Sequence, residues 1–583
     1  MSPIDGRGFF TAEGGAFEGM FYQKANPAIV EELKRRGGLL AEGRVRHQYP
    51  HCWRCKNPVF FRATEQWFAS IDGFREAALQ AIRKVRWIPA WGEERIYNMV
   101  TARGDWCISR QRLWGVPLTI FRCKNCGKEI INDETIEHLK QLIRKHGSDI
   151  WYRAPVEKLL PPGFVCPECG TDAFIKEDDT MDVWFDSGSS HWAVLRQPSP
   201  WQEQVWPADL YLEGSDQHRG WFNSSLSTAV AVTGKPPYHA VLTHGFVVDE
   251  QGRKMSKSLG NVVDPLKVVK QLGADILRLW VCSADYRGDL AASDNILKQI
   301  AEAYRKIRNT FRFLLGNLYD FKPGDAVPYS ELPEIDRFAL LRLEKLKRRV
   351  LKAYKEFEFH VVHHAIHSFC VLDLSAFYLN VLKDRLYCEL PNSVKRRAAQ
   401  TVLYEILETL LRLLVPVLAF TSEEIWRYVP GEGEKAVSVQ LLDMPSCKDE
   451  YIEDEALETR WERLLQVQDV ILEALERARQ EKIIGDSLEA EVELYAVGEL
   501  YEFLNSAVEE LKTISIVSGL EVAPEEAIPP AEALQRGGLS VLVRRAAGTK
   551  CARCWIYSKT VGQNTFHPEL CLRCAGVVAA ASV

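Results

Sequence analysis

Lys254-Met255-Ser256-Lys257-Ser258 runs on into Leu259-Gly260-Asn261, about forty residues after Glu213-Gly214-Ser215-Asp216-Gln217-His218-Arg219-Gly220-Trp221-Phe222. Lysine is a compact, mobile positive charge, and small hydroxyl neighbours let the backbone come close, so this string makes a loop able to wrap a polyphosphate. A Lys/Ser run is commonly a solvated surface loop. A fixed five-residue string, however, arises by accident in a chain of this length only on the order of once in several thousand cases. Around it, short apolar runs (Leu210–Glu213, Ala240–Thr243, Phe246–Asp249) alternate with helical patterns (Phe222–Val232, Pro265–Gln271), which predicts a parallel α/β sheet over 179–290. Glu213, Asp216 and Gln217 then fall at a strand-to-helix transition, where such sheets bind ligands.

The 583 residues are enough for several domains, and 46% apolar with 26% charged residues is ordinary globular composition. No apolar run reads as a membrane span, and Met1–Arg7 has neither the basic nor the apolar region of a signal peptide. A net charge of −6 argues against a uniformly basic nucleic-acid binder, so RNA contacts would use local patches. Two are visible: Arg305, Lys306, Arg308 and Arg312 on one helical segment, and Arg342, Lys345, Lys347, Arg348, Arg349, Lys352 and Lys355 on another. Either can equally be a solvated helix face.

Elsewhere, Asn26-Pro27 opens a predicted helix through Arg36, closed by Gly37-Gly38. Phe74–Val85 reads as an amphipathic helix and Val116–Phe121 as a buried strand. From 291 to 430 the pattern is helical, with apolar stripes Ile300-Tyr304-Ile307-Phe311-Leu314-Leu315 and Val402-Leu403-Ile406-Leu407-Leu410-Leu414, the latter helix kinked or ended by Pro416. That predicts a helical bundle.

Ten of the 15 cysteines form five Cys-x-x-Cys pairs, which reads as metal ligation and not as a disulfide framework. Cys551/Cys554 and Cys571/Cys574 have the spacing of a closed, structural four-cysteine zinc site. Cys123/Cys126 and Cys166/Cys169, each pair followed by glycine, form a candidate second zinc site across a longer gap. Cys52/Cys55 is a half-site, for which His47 and His51 are strained completions. The remaining cysteines read as core or incidental thiols.

Trp106–Pro117, Asp182–Ser190, Glu213–Phe222 and the lysine loop stand in one order along the chain. Together they resemble the sequence blocks of class I aminoacyl-tRNA synthetases and, among these, of isoleucyl-tRNA synthetase of the bacterial type, over essentially the whole chain. The resemblance implies an α/β fold: the C-terminal part of a Rossmann-like catalytic domain, then an α-helical anticodon-binding bundle, with four-cysteine zinc modules. It divides the chain into a remnant of the inserted editing domain and its return strands (1–65), re-entry into the catalytic domain (66–121), a zinc-ribbon insert (122–178), the second catalytic half with the lysine loop (179–290), the bundle (291–430), a junction domain (431–545) and a terminal zinc finger (546–583).

It also implies roles. Lys257 is the catalytic lysine meeting charge on the triphosphate, with Lys254 supporting it; Ser256, Ser258, His244 and Gly245 complete an ATP site that takes Mg2+ with the nucleotide. Glu213 lies at the aminoacyl-adenylate, Asp216 and Gln217 near amino acid and ribose, and Trp184 and Trp221 wall the isoleucine side chain. Asp216 can instead be an N-cap of the following helix, and both tryptophans can be core residues. The implied partners are ATP, L-isoleucine and tRNA(Ile), with no membrane, in a cytoplasmic enzyme that is monomeric when full length.

An apolar pocket discriminates one methylene by only about 1–3 kcal/mol, a limit for which this synthetase is the usual illustration. The family answers it with a hydrolytic site containing a Thr-rich segment and a His-x-Ala-Pro block, and neither is in this sequence. Nor is any His-x-Gly-His, which supplies imidazoles to the ATP phosphates. The expectation is therefore a C-terminal portion, without the editing core and inactive alone. Valyl-tRNA synthetase and a non-catalytic tRNA-binding protein are the alternatives; the blocks as written and the lack of a C-terminal heptad arm disfavour the first.

Overall fold

The computed structural model describes residues 3–52, 55–112, 114–196, 204–257, 259–431, 435–452 and 454–581. The chain divides into two compact units, 1–244 and 245–583, and the division falls inside the stretch read above as one catalytic half.

In the first unit, helix α1 (Tyr22–Arg35) begins ahead of Asn26 and carries Pro27 inside it. Proline removes one internal hydrogen bond, but the preceding turn is already closed by the Lys24 and Ala25 N–H groups on the Phe21 carbonyl (2.9 and 3.0 Å). Helix α2 (Arg75–Ile82), strand β1 (Arg86–Ile88) and helix α3 (Trp91–Thr101) follow. The predicted strand Val116–Phe121 is not one. Pro117 has no N–H to give a ladder, so it makes a single bridge to Thr180, and regular pairing starts only at Phe121.

Phe121–Cys123 pairs antiparallel with both Glu129–Ile130 and Phe174–Lys176. This small sheet packs with the helix Asp133–His146 around Phe121, Leu139, Trp151 and Phe174. The chain then returns through helix α4 (Val183–Gly188), strand β2 (Ala208–Gly214), helix α5 (Trp221–Thr233) and strand β3 (Tyr238–His244). Strand β3 lies between β1 and β2, parallel to both. Ala78 and Ile82 of α2, Ile96 and Val100 of α3, Phe222 and Leu226 of α5 and Val241 of β3 form one core over this sheet. Each large apolar side chain buried there stabilises the layer by about 1.5–3 kcal/mol.

The second unit opens with Val247–Val248 paired to Leu290–Ala291. Helix α6 (Pro265–Leu272) starts as its sequence dictates, with Asp264 accepting the Leu266 N–H and proline in the first turn. Helix α7 (Ala274–Ser283) leads into the bundle of α8 (Asp294–Asn317), α9 (Glu334–Lys355), α10 (Val394–Leu414) and α11 (Ala419–Trp426). The predicted stripes are its core: Ile307, Phe311, Leu314, Val402, Leu403, Ile406, Leu407 and Leu410 are all buried. The Asp275 carboxylate of α7 receives the Thr421 N–H (2.7 Å) and hydroxyl (2.6 Å) at the start of α11.

One helical stretch, Phe359–Cys388, is long and apolar enough to cross a membrane by length and composition, which the reading of the sequence missed. Its Val362, Ile366, Phe369, Leu374 and Tyr378 are buried in the bundle core, so its apolarity has a packing cause. Beyond the bundle, helix α12 (Glu455–Gln480) covers a four-stranded sheet built from Ala490–Tyr495, Gly519–Val522, Leu534–Arg536 and Leu539–Arg545.

Candidate active site and metal centres

In the first unit, the parallel register sets Thr243 beside Glu213 and His244 beside Gly214 at the carboxyl ends of the strands. The chain leaves β2 through a short helical turn, Ser215–His218, to reach α5. His218 is fully buried in that turn, its ring 6.0 Å from that of Trp87 and 5.5 Å from that of Trp91, with Nδ1 3.1 Å from the Ser215 carbonyl. Burial lowers its pKa, so it packs as a neutral ring.

Gln217 caps α5: its Oε1 accepts the Trp221 N–H (2.9 Å) while its Nε2 donates to Asp216 (3.0 Å). Asp216 itself is exposed and makes no cap bond, so the capping alternative passes from Asp216 to its neighbour. A Cβ on Gly220 would collide with Gln217 Oε1 and stand 2.7 Å from the Trp184 ring, so only glycine lets these side chains close over the turn. Trp221 stacks on Tyr211 (4.1 Å, 14°), and its indole N–H reaches the Ser187 carbonyl (3.0 Å) and Ser190 Oγ (3.1 Å). Trp184 is not a core residue; it is 41% exposed.

Trp184 and Gly220 line a cleft of about 710 Å³ together with Met99, Arg103, Trp106 and Asn223. Arg103 donates to Asn223 Oδ1 and to Ser227 Oγ, and its guanidinium lies 4.8 Å from the Trp106 ring centre. Asp182 ties the wall together, accepting the Trp106 indole N–H (2.9 Å) and the Trp184 backbone N–H (3.3 Å). Sequence reasoning assigned no role to Arg103, Trp106 or Asp182. Nothing in their spacing singles them out, and only the folded chain brings Arg103 and Trp106 to one cleft, through the Arg103 bonds to Asn223 and Ser227 of α5 and the Asp182 bond to Trp106.

In the second unit, Gly245 makes a close backbone approach. Its N–H donates to the Tyr286 carbonyl (2.8 Å), and a Cβ would collide with the Gly288 carbonyl. The lysine loop follows on a hairpin. Asp249 N–H bonds the Arg253 carbonyl (3.0 Å), Gly252 turns the chain at φ +72°, and Val248 bridges Lys254. Lys254 and Lys257 are exposed and Ser256 is half-buried; Ser258 lies outside the described residues.

The two predicted cysteine quartets do assemble. In each, the four Sγ atoms lie within 4.8 Å of one another. Cys123–Cys169 and Cys126–Cys166 stand 3.5 and 3.6 Å apart, and Cys554–Cys571 3.8 Å. Tetrahedral zinc with Zn–S bonds of about 2.3 Å needs Sγ atoms about 3.8 Å apart, so the donor sets fit the ion.

The backbone repeats as well. At Cys123, Cys166 and Cys551 the cysteine N–H bonds the carbonyl five residues on (Lys128, Thr171, Ile556), and the residue before that acceptor has positive φ (Gly127, Gly170, Trp555). Cys52 forms the same turn, with its N–H on the Asn57 carbonyl (2.8 Å) and Lys56 at φ +61°. Among the described residues neither His47 nor His51 joins it in a ligand group. The terminal finger is docked on the bundle's Lys383–Cys388 helix by two Arg573–Asp384 bonds of 2.6 Å.

The cationic helices are mostly neutralised. Arg305 pairs with Glu302, Arg308 with Glu424, Arg342 with Asp373 and Arg348 with Glu344 and Asp449. Lys347 is buried against Glu344, so it cannot reach a phosphate.

The chain that carries this cleft at Trp184 and Gly220, and the lysine loop on a hairpin of the second unit, matches three family models. They describe tRNA synthetases class I (I, L, M and V) over residues 24–293, the anticodon-binding domain of tRNA ligase over 336–494, and the zinc finger found in FPG and IleRS over 548–576. The chain belongs to the class I aminoacyl-tRNA synthetases. Within that class it is similar to isoleucine–tRNA ligases: 64% identical over 582 residues to that of Desulforudis audaxviator, and 62% identical to those of Desulforamulus reducens and Moorella thermoacetica. In each case 99% of this chain matches 62% of the relative, so the chain spans somewhat under two thirds of the length of the curated relatives.

Proposed function

We propose that this chain carries the amino-acid pocket, the lysine loop and the tRNA-binding bundle of an isoleucine–tRNA ligase. The reaction would join L-isoleucine to ATP as isoleucyl-adenylate, with loss of pyrophosphate, and then pass the aminoacyl group to tRNA(Ile). The cleft walled by Trp184 and Gly220 carries the reading: it sets Trp184, Trp106 and Met99 beside the cationic Arg95, Arg103 and Arg219, and Gln217, at the end of the Glu213–Gln217 turn, stands directly against Gly220. Glu213, Asp216 and Gln217 would hold the adenylate's polar groups, Trp184 and Trp221 the side chain, and His244 and Gly245 would lie near the nucleotide.

Lys257, with Lys254, Ser256 and Ser258, would meet the negative charge that grows as pyrophosphate leaves, and Mg2+ would bind with the ATP phosphates. The cytoplasm and a monomeric state belong to the same reading. The names of the relatives favour isoleucine over valine.

The 583 residues contain no His-x-Gly-His sequence, so we infer that imidazoles for the triphosphate are not supplied by this polypeptide. It should then not exchange pyrophosphate into ATP unaided, because lysines alone cannot align the triphosphate. The test is isoleucine-dependent exchange by this polypeptide alone and by the same chain joined to the part of a relative that it does not match. Exchange only in the joined protein, with isoleucine preferred to valine, supports the proposal. Robust exchange by the polypeptide alone would overturn the inference about imidazoles, and a preference for valine would overturn the substrate.

A further inference from the structure

Among the described residues, the lysine loop places no apolar side chain in the two large cores of its unit, yet its backbone follows a defined path. Besides the loop's own turn bonds, from the Leu259 N–H to Ser256 and from the Gly260 N–H to the Lys257 carbonyl, two side chains tie that path to the hairpin. Asp249 is 6% exposed, and its Oδ1 accepts the N–H groups of Gln251 (3.0 Å) and Arg253 (2.8 Å). Its Oδ2 accepts the Arg253 Nε–H (2.8 Å) and the Asn261 Nδ2–H (2.9 Å). Asn261 uses its other end on the loop itself: Oδ1 accepts the Ser256 N–H (2.8 Å), and Nδ2 also approaches the Lys254 carbonyl (3.4 Å). The backbone between the two lysines is thereby tied, through one amide, to the carboxylate at the base of the hairpin.

We propose that Asp249 and Asn261 are the positioning residues of the lysine loop. Together they form a polar clasp that presets Lys254–Lys257 for the triphosphate without touching it. This deepens the proposed function and rests on it for the identity of the ligand; the existence of the clasp stands on geometry alone. The chemistry of the pair is directional. A carboxylate can accept four donors and an amide can both accept and donate, which is what the two positions use. Two carboxylates here would repel, and an apolar residue at 261 would leave both the Ser256 N–H and one Asp249 oxygen without this partner. The clasp also explains why Asn261 stands three residues beyond the lysine motif, where no charge on ATP has to be met.

The clasp is tested on the 583-residue chain by the initial rate of tryptic cleavage after Lys254 and Lys257, which reports how often the loop opens. Asn261→Ala should raise that rate about tenfold or more, and Asn261→Asp further still, because bonds to a charged group are lost and a like charge is added. The reciprocal exchange, Asp249→Asn with Asn261→Asp, restores one carboxylate and one amide and should bring cleavage most of the way back. A merely structural role for the two sites would leave the exchange no better than the single variants.

Cleavage unchanged in Asn261→Ala, or an exchange as labile as Asn261→Asp, would overturn the clasp. In the joined protein, Asn261→Ala should lower the adenylate-forming rate constant and leave the isoleucine KM within about twofold, as for an interaction made in the transition state. A loosened loop with an unchanged rate constant would instead leave the clasp standing and count against the proposed role of the lysines.

Discussion

The turn Glu213–Trp221 and the loop Lys254–Asn261 are held in opposite ways. The turn is built into a core: His218 is buried against two tryptophans, Trp221 is stacked on Tyr211, and Gly220 leaves no room for a methyl group. The loop's two lysines are exposed, and its backbone is tied to the hairpin by one carboxylate and one amide. Packing gives a rigid surface whose displacement costs several kcal/mol, suited to reading a side chain before reaction. Hydrogen bonds of about 1 kcal/mol net each give a defined but easily opened path, suited to charges needed only as bonds break. Recognition and rate would thus reside in parts of the molecule that are built differently.

The largest expected effect lies in a region held by neither device. The terminal finger's core is little more than its own cysteines with Leu570 and Ala575, whereas the insert around Cys123–Cys169 also buries Phe121, Leu139, Trp151 and Phe174. Purified, unchelated protein should contain two zinc ions per chain, and less than one would refute both sites. Cys551→Ser should leave one ion and unfold the finger, since a structural zinc supplies on the order of 10 kcal/mol to a small module. Cys123→Ser should also lose one ion, yet the helix Asp133–His146 should stay protected from proteolysis. If the two variants unfold their modules equally, packing has been overrated as a means of holding structure here.

Next in size, Lys257→Ala in the joined protein should slow adenylate formation by about 2.7–4 kcal/mol with little change in isoleucine affinity, by analogy with the loss of one preorganised donor. Lys254→Ala should be milder. Trp184→Ala should do the reverse and weaken isoleucine binding first. Pre-steady-state adenylate formation with titrated isoleucine separates the two, and an affinity-only effect of Lys257→Ala would dissolve the contrast.

Acid should take the two regions apart in order. His191 is 3% exposed beside the packed turn; it accepts the Trp206 indole N–H on Nδ1 (3.0 Å), and burial, with the nearby Arg196 charge, lowers its pKa to about 4. Above about pH 6.5 both folded and unfolded chains hold it neutral. As pH falls from about 6.5 to 4 only the unfolded chain takes the proton, so stability declines by on the order of 3 kcal/mol.

Asp249 behaves differently. The Asn261 bond, and then those from Arg253 and Gln251, hold its carboxyl at about 2, so its contribution is intact above about pH 4 and is lost only as pH falls toward 2. Unfolding midpoints of the chain and of His191→Gln, measured against pH with hydrogen exchange of the loop amides, check the order. A loop that loosens before about pH 5 would reverse it.

The smallest effect bears on a single methyl group. Gly220→Ala should cost about 1–3 kcal/mol by overpacking against Gln217 and Trp184. The added methyl group should also quench or shift the Trp184 fluorescence. Gly252→Ala, at a turn with open space and φ +72°, should loosen only the hairpin.

Much of this was legible in order along the chain. Periodicity placed α5 and the strands β2 and β3 to within a few residues and found the buried stripes of α8 and α10, because long runs of one period leave little alternative. Paired cysteines announced both quartets, since ligand spacing is local. The failures have local causes too. Pro117 left an apolar run with a single bridge in place of a regular strand, and the apolarity of Phe359–Cys388 is the bundle's core and not a separate signal. Lys347 looked like its neighbours in a basic run, but the helix turns it inward onto Glu344.

Short-range spacing along the chain was thus enough to specify the strongly periodic elements, the cysteine quartets and the lysine loop. Packing in three dimensions was needed to establish that Arg103 and Trp106 share a cleft with Trp184 and that Asp182 ties the two tryptophans together, that Gln217 and not Asp216 caps α5, and that Asp249 and Asn261 clasp the loop. Each of those depends on where a side chain stands once its helix or hairpin is packed. A linear chain fixes periodicity, but it does not say which of many polar groups will be left facing one another when the apolar ones are buried.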